Sequence, residues 1–86
     1  MATLLRIKDF RVFVYSHDHE YPPHVHVQTV NGLSKWELKT WQCVERTKGC
    51  KANELRKIRQ MLMQNEHRLL EKWHEHWQRA RGGEGR

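Results

Sequence analysis

The dipeptide Asn31-Gly32 constrains the fold of this chain more than any other local feature. It separates two runs in which apolar and polar residues alternate, HVHVQTV (24–30) and LSKWELKT (33–40). Asn-Gly tolerates positive φ at both central positions of a two-residue turn, so the sequence predicts a β-hairpin in which Val30 opposes Leu33. The side chains expected on the buried face of this hairpin are Val25, Val27, Trp36 and Leu38.

The flanking segments predict an α+β fold. FRVFVY (10–15) reads as a strand with Phe10, Val12 and Val14 on one face, and WQCVER (41–46) is a candidate fourth strand. From about Ala52 to Ala80 the apolar residues recur at helical spacing. We therefore expect a small antiparallel sheet of three to four strands, followed by one long helix or two helices with a break near Asn65, packed on one face. The expected helix stripe is Leu55, Ile58, Leu62, Leu69, Trp73 and Trp77.

Length and charge limit the function classes. The 86 residues predict a single domain, residues 1–80, with a disordered tail at 81–86, and a thin core without a deep, enclosed substrate cavity. Sixteen Lys and Arg against ten Asp and Glu give a net charge of +6, which favours polyanionic or acidic partners. No long apolar run or signal peptide is found, so we expect a cytoplasmic protein without a membrane partner. Cys43 and Cys50 fit no metal or redox pattern and are assigned no chemistry.

The stretch HDHEYPPHVHV (17–27) contains the candidate chemistry. In the predicted hairpin, His24, His26 and Gln28 share a face with Lys39, Glu37 and Lys35, and His26 opposes Glu37. Histidines titrate near neutral pH and lysines neutralise phosphate, so this face suits acid/base cleavage of RNA through the 2′-hydroxyl, without a cofactor. The alternative reading of the same pattern is a solvated polar face.

The candidate roles follow from this arrangement. His24 and His26 are the expected general acid and base, and Lys35 and Lys39 the expected phosphate contacts. Possible supporting residues are Asp18, His19, Glu37 and His74. A metal site is a further alternative, with ligands from His17, His19, His24 and His26. In WHEHW (73–77), the tryptophans are expected to pack in the core, and the spacing excludes an H-E-x-x-H zinc motif.

Two motifs carry a family resemblance. At YSHDH (15–19) and PPHVHV (22–27) the chain resembles the small prokaryotic family called domain of unknown function 4160, and the likeness extends over roughly residues 4 to 77. The resemblance implies a small α+β protein, commonly encoded beside a second small protein in an arrangement like a toxin–antitoxin operon. Relatives often have an aromatic residue where this chain has Glu37. The motif positions carried over are Asp18, Pro22, Pro23, His24, His26 and Lys35.

Together, the residues and the resemblance lead to one expected function and two alternatives. The expected function is the toxin of a type II toxin–antitoxin pair, acting on RNA or translation as a metal-independent ribonuclease, with a small cognate antitoxin and RNA as partners. The first alternative is a non-enzymatic antitoxin or regulator that binds nucleic acid or an acidic partner. The second is a histidine-rich metal-binding module.

Overall fold

The protein folds as a five-stranded antiparallel sheet followed by two consecutive helices, which confirms the α+β class. A computed structural model describes residues 2–15 and 23–84, with side chains described as far as Gln78. The strands lie side by side in sequence order, each antiparallel to the next. The elements are β1 (Ala2–Ile7), β2 (Phe10–Val14), β3 (His24–Thr29), β4 (Gly32–Glu37), β5 (Gln42–Arg46), α1 (Ala52–Gln64) and α2 (Glu66–Glu84).

The prediction of three to four strands was wrong, because the sheet has a fifth strand, β1, paired with β2. The register of this pair shifts between Thr3 and Leu5, so the adjacent residues Leu4 and Leu5 are both buried. Such a bulge breaks the apolar/polar alternation by which a half-buried strand is recognised in a sequence. A tight turn connects the two strands, and in it Lys8 adopts a φ of 50°.

One face of the sheet carries the core. Val25 and Val27 of β3 are buried on it together with Trp36 of β4 and Leu38, which confirms the predicted buried face. Val12 and Val14 of β2 belong to the same cluster, and Phe10 packs against its edge. The Trp36 indole donates a 2.8 Å hydrogen bond to the buried hydroxyl of Ser34, so its polar atom is satisfied within the core.

The predicted hairpin register was wrong by two residues. Thr29 pairs with Gly32, so the two turn residues are Val30 and Asn31 instead of Asn31 and Gly32. A shift of two leaves every side chain on its predicted face and changes only its cross-strand partner.

Hydrogen bonds to α1 explain the shifted register. The Thr29 hydroxyl accepts from the Asn31 backbone N–H at 3.1 Å and donates to a Glu54 carboxylate oxygen at 3.0 Å. The Asn31 side-chain amide donates to the other Glu54 oxygen at 2.7 Å. Gly32 has a φ of 150°, and a Cβ there would collide with the Thr47 hydroxyl. These tertiary contacts override the local preference of Asn-Gly for the central turn positions.

The helical region divides at Asn65, which confirms the second of the two predicted alternatives. The Asn65 side-chain amide donates to the Met61 backbone carbonyl at 2.8 Å. The backbone carbonyl of Asn65 accepts from the Leu69 N–H at 2.9 Å. The predicted stripe is confirmed, because Ile58, Leu62, Leu69 and Trp73 are buried and Leu55 and Trp77 pack against the core. Met61 is also buried. Neither described helix has an apolar stretch long enough to span a bilayer.

Candidate functional site

Pro23 anchors the start of β3, immediately before the histidines. It is fully buried, and its carbonyl accepts a 2.9 Å hydrogen bond from the Leu38 N–H. This bond extends the β3–β4 ladder by one residue, and the fixed φ of proline restricts the approach of the chain. His24 therefore projects from backbone that is held by both packing and hydrogen bonding.

His24 and His26 lie on the sheet face opposite the core, here called the polar face. His24 pairs directly with Glu37, and His26 pairs directly with Lys35. The two imidazole centroids are 6.1 Å apart, with the rings nearly perpendicular. Both side chains are partly exposed. The predicted His26–Glu37 pair is replaced by His24–Glu37 because of the register shift.

An aromatic cluster, formed by Phe13, Tyr15 and His26, holds the second imidazole. The His26 ring stacks on Phe13 with centroids 5.4 Å apart, and the Tyr15 ring meets its edge at 4.8 Å. Phe13 is only 2% exposed although it lies outside the main core, because Arg11, Tyr15 and His26 pack against its ring. These contacts restrict the His26 ring to a defined orientation.

Arg11 adds a cation at the edge of this cluster. Its guanidinium lies 4.8 Å from the Phe13 ring centroid and donates to the side-chain oxygens of Thr3 at 3.2 Å and Gln28 at 2.9 Å. Arg11, Phe13 and Tyr15 are site residues that were not predicted from the sequence. Alternation in FRVFVY places them opposite the core, but only the pairing of β2 with β3 brings them beside His26.

The two candidate lysines occupy different environments. Lys35 belongs to β4, and its ammonium lies 3.9 Å from a Glu45 carboxylate oxygen, a long contact with an exposed partner. Lys39 lies in the turn after β4 with a φ of 84°, and the residue that pairs with His24 is Glu37. Glu37 accepts a 3.1 Å hydrogen bond from the Thr40 hydroxyl, which orients its carboxylate toward the same turn.

His74 and the residues before Pro23 complete the predicted set. His74 is on α2 next to Trp73, with ring centroids 5.6 Å apart, and the buried side chains of this helix pack on the core face. His17, Asp18, His19 and Pro22 lie outside the described residues. Within residues 2–15 and 23–84, no group of three or more His, Cys, Asp or Glu is arranged to hold a metal ion.

A shallow depression of about 280 Å³ borders the polar face beside His26. Its charged lining residues are Lys35, Glu45 and Arg46. Cys43 lies on the other side of the sheet, where it packs against the core, and its burial raises the pKa of its thiol. The arrangement therefore offers proton-transfer groups beside a shallow, mainly cationic surface.

Comparison with known proteins gives a family but no activity. The family described as Domain of unknown function (DUF4160) matches residues 9–74, which is most of the chain. The matched segment contains every candidate site residue named from the sequence. No curated protein and no solved structure matches the chain.

Proposed function

The chain belongs to the family called domain of unknown function 4160, and we propose that it is the toxin of a toxin–antitoxin pair that cleaves RNA by histidine acid/base chemistry. One observation carries the proposal. His24 and His26 project from the same face of β3 with their rings 6.1 Å apart, and Lys35 lies directly across from His26. Two proton-transfer groups and a phosphate-binding charge thus project from two adjacent strands of one rigid sheet.

The reaction needs two proton transfers on opposite sides of one phosphorus. One imidazole removes the proton of the 2′-hydroxyl, whose oxygen attacks the phosphorus, and the other, protonated, donates to the departing 5′-oxygen. The P–O5′ bond breaks, and the products are a 2′,3′-cyclic phosphate and a 5′-hydroxyl end. Each imidazole nitrogen must come within about 2.6–3.2 Å of its oxygen in the complex with RNA.

Lys35 and the aromatic cluster supply the remaining requirements. The Lys35 ammonium, on the strand beside His26, stabilises the negative charge that develops on the phosphate oxygens. Phe13 and Tyr15 hold the His26 ring, which limits the orientational freedom lost when substrate binds. The reaction requires no deep cavity, which suits the shallow depression beside His26.

The test is cleavage of RNA by purified His24→Ala and His26→Ala variants, with His67→Ala, at an exposed position of α2, as the control. Loss of one general acid or base is expected to lower the rate about 10²–10⁴-fold. His67→Ala should cleave normally, and all three variants should retain cooperative unfolding. Full activity in both histidine variants contradicts the proposal.

A growth experiment separates the toxin from a non-enzymatic member of the pair. Induced expression of the chain alone is expected to arrest growth, and coexpression of the small neighbouring protein is expected to restore it. The His26→Ala variant should express without arrest. Unimpaired growth with wild-type protein at the same level favours the antitoxin or regulator alternative.

A further inference from the structure

Three depressions lie in series around the edge of the sheet formed by β5. The first, beside His26, shares Arg46 and Thr47 with a second depression of about 430 Å³. The second shares Ala52 with a third, of about 620 Å³, that reaches along α1. Neighbouring depressions share lining residues and therefore adjoin one another, and the three together are here called the β5 groove.

The β5 groove is strongly cationic. Among the described residues that line it, the only acidic side chain is Glu45, which is 76% exposed and 3.9 Å from Lys35. On α1, Arg56 and Arg59 are three positions apart and therefore lie on one face of the helix. The six cations along the groove are Lys35, Arg46, Lys48, Lys51, Arg56 and Arg59.

The course of the groove selects the kind of polyanion that fits it. It starts on the polar face at His26, passes the edge at β5, and ends at α1, whose buried side chains lie on the core face. The chain is small, with a radius of gyration of 12.9 Å, so a bound strand must turn sharply to follow this course. A nucleic acid duplex is stiff over such lengths, whereas a single strand bends readily and suits a cationic groove.

From this course and charge we infer that the β5 groove binds the backbone of a single RNA strand, with one phosphate at His26 and the flanking nucleotides extending to Arg56 and Arg59. The inference rests on the proposed function and adds the path of the substrate. The sugar-phosphate backbone supplies a regular series of charges that matches the series of cations. RNA binding in this groove is therefore expected to depend on the length of the strand and on the salt concentration, and not on the base sequence.

The experiment compares two variants that each remove two positive charges, one variant inside the groove and the other outside it. Arg56→Gln/Arg59→Gln removes two cations from the groove, and Lys57→Gln/Arg68→Gln removes two exposed cations outside it. The ligand is a fluorescent 2′-O-methyl RNA of twelve nucleotides, which lacks the attacking hydroxyl. Anisotropy titrations over a range of salt concentrations should show a roughly tenfold loss of affinity and a salt slope lower by about 1.4 for the groove variant, with the control near wild type.

Three comparisons decide the outcome. A trinucleotide of the same chemistry should bind both variants equally, because it spans only the polar-face end of the groove. Equal losses in the two twelve-nucleotide titrations overturn the inference, because net charge alone then governs binding. The inference is also overturned if the binding of a duplex or of a polyglutamate peptide depends on Arg56 and Arg59 more strongly than the binding of the single strand.

Chemical protection gives a second readout on wild-type protein. Cys43 lines the third depression, so the bound strand is expected to slow its alkylation, which is measured at alkaline pH because burial raises the pKa of this thiol. An unchanged rate of Cys43 alkylation at a saturating concentration of the RNA strand contradicts the proposed path of the strand.

Cleavage of unmodified RNA is measured in parallel. Normal binding without cleavage contradicts the proposed ribonuclease but supports the groove, whereas cleavage of long RNA that is insensitive to Arg56→Gln/Arg59→Gln contradicts the groove alone.

Discussion

His26 lies directly across the β3–β4 ladder from Lys35, so an imidazole and an ammonium group form one cross-strand pair on the polar face. Direct partners in an antiparallel ladder have Cβ atoms about 4.5–5.5 Å apart. Lys39, four positions later, lies in a turn beyond the strand, with a φ of 84°. The two lysines, equivalent candidates in the sequence, are therefore in different positions relative to His26.

Lys35→Gln is expected to weaken the binding of non-cleavable RNA more than Lys39→Gln. The first substitution removes a cation beside His26, so the slope of log affinity against log salt should fall by about 0.7. The second removes the same charge from outside the ladder and serves as the control. Titrations at several salt concentrations measure both slopes, and an equal or larger effect of Lys39→Gln contradicts the assignment of Lys35.

Glu54→Ala is expected to lower the free energy of unfolding by about 1–3 kcal/mol, because it removes the acceptor for the Thr29 hydroxyl and the Asn31 amide. Urea denaturation measures the change. The control is Glu71→Ala on the exposed surface of α2, where a long contact to His67 predicts a change within about 0.5 kcal/mol. Equal stability of the two variants is inconsistent with Glu54 fixing the β3–β4 turn.

The core face of the sheet and the apolar stripe of the helices were predictable because they depend on local periodicity. Val25, Val27 and Trp36 alternate with polar residues, and this parity survives a register shift of two. The strand β1 was not predictable, because the bulge near Leu4 removes the alternation. The turn residues were also missed, because the contact that selects them comes from Glu54, 23 positions after Asn31.

The candidate site was predictable only in part. Alternation correctly placed His24, His26, Lys35 and Glu37 on one face, but the cross-strand partners depended on the turn. The contribution of β2 required a tertiary pairing that no local pattern encodes. Phe13 therefore appeared in the sequence as one more strand residue, whereas in the fold it supports the His26 ring.

Trp73→Ala is expected to destabilise the protein by about 3–5 kcal/mol, a large part of the stability of a domain this small. The Trp73 side chain is fully buried and stacks on Trp77 with centroids 6.2 Å apart, so its removal leaves a cavity between helix and sheet. Met63→Ala, at a half-exposed position of α1, is the control. Thermal unfolding measures both, and an unchanged melting temperature for Trp73→Ala contradicts the packing of α2.

RNA cleavage is expected to persist after divalent metal ions are removed. His24 and His26 offer two nitrogen ligands, whereas a catalytic zinc site uses three protein ligands and an open position. The ammonium of Lys35, across the ladder from His26, also disfavours a cation at that ring. The proposed reaction needs only proton transfer and charge neutralisation, and both are supplied by side chains.

The rival arrangement makes the opposite prediction, because His17 and His19 would complete a metal site with His24 and His26. Activity is measured before and after dialysis against a chelator, together with elemental analysis of the purified protein. His17→Ala/His19→Ala is the matched variant, since it removes the additional ligands and leaves the acid/base pair. Unchanged cleavage in chelator and near-normal cleavage by this variant support the acid/base site. The opposite result is loss of cleavage both in chelator and in the His17→Ala/His19→Ala variant, with recovery when zinc is returned to the wild-type protein. It identifies HDHEYPPHVHV as a metal-binding segment and contradicts catalysis by the two histidines alone.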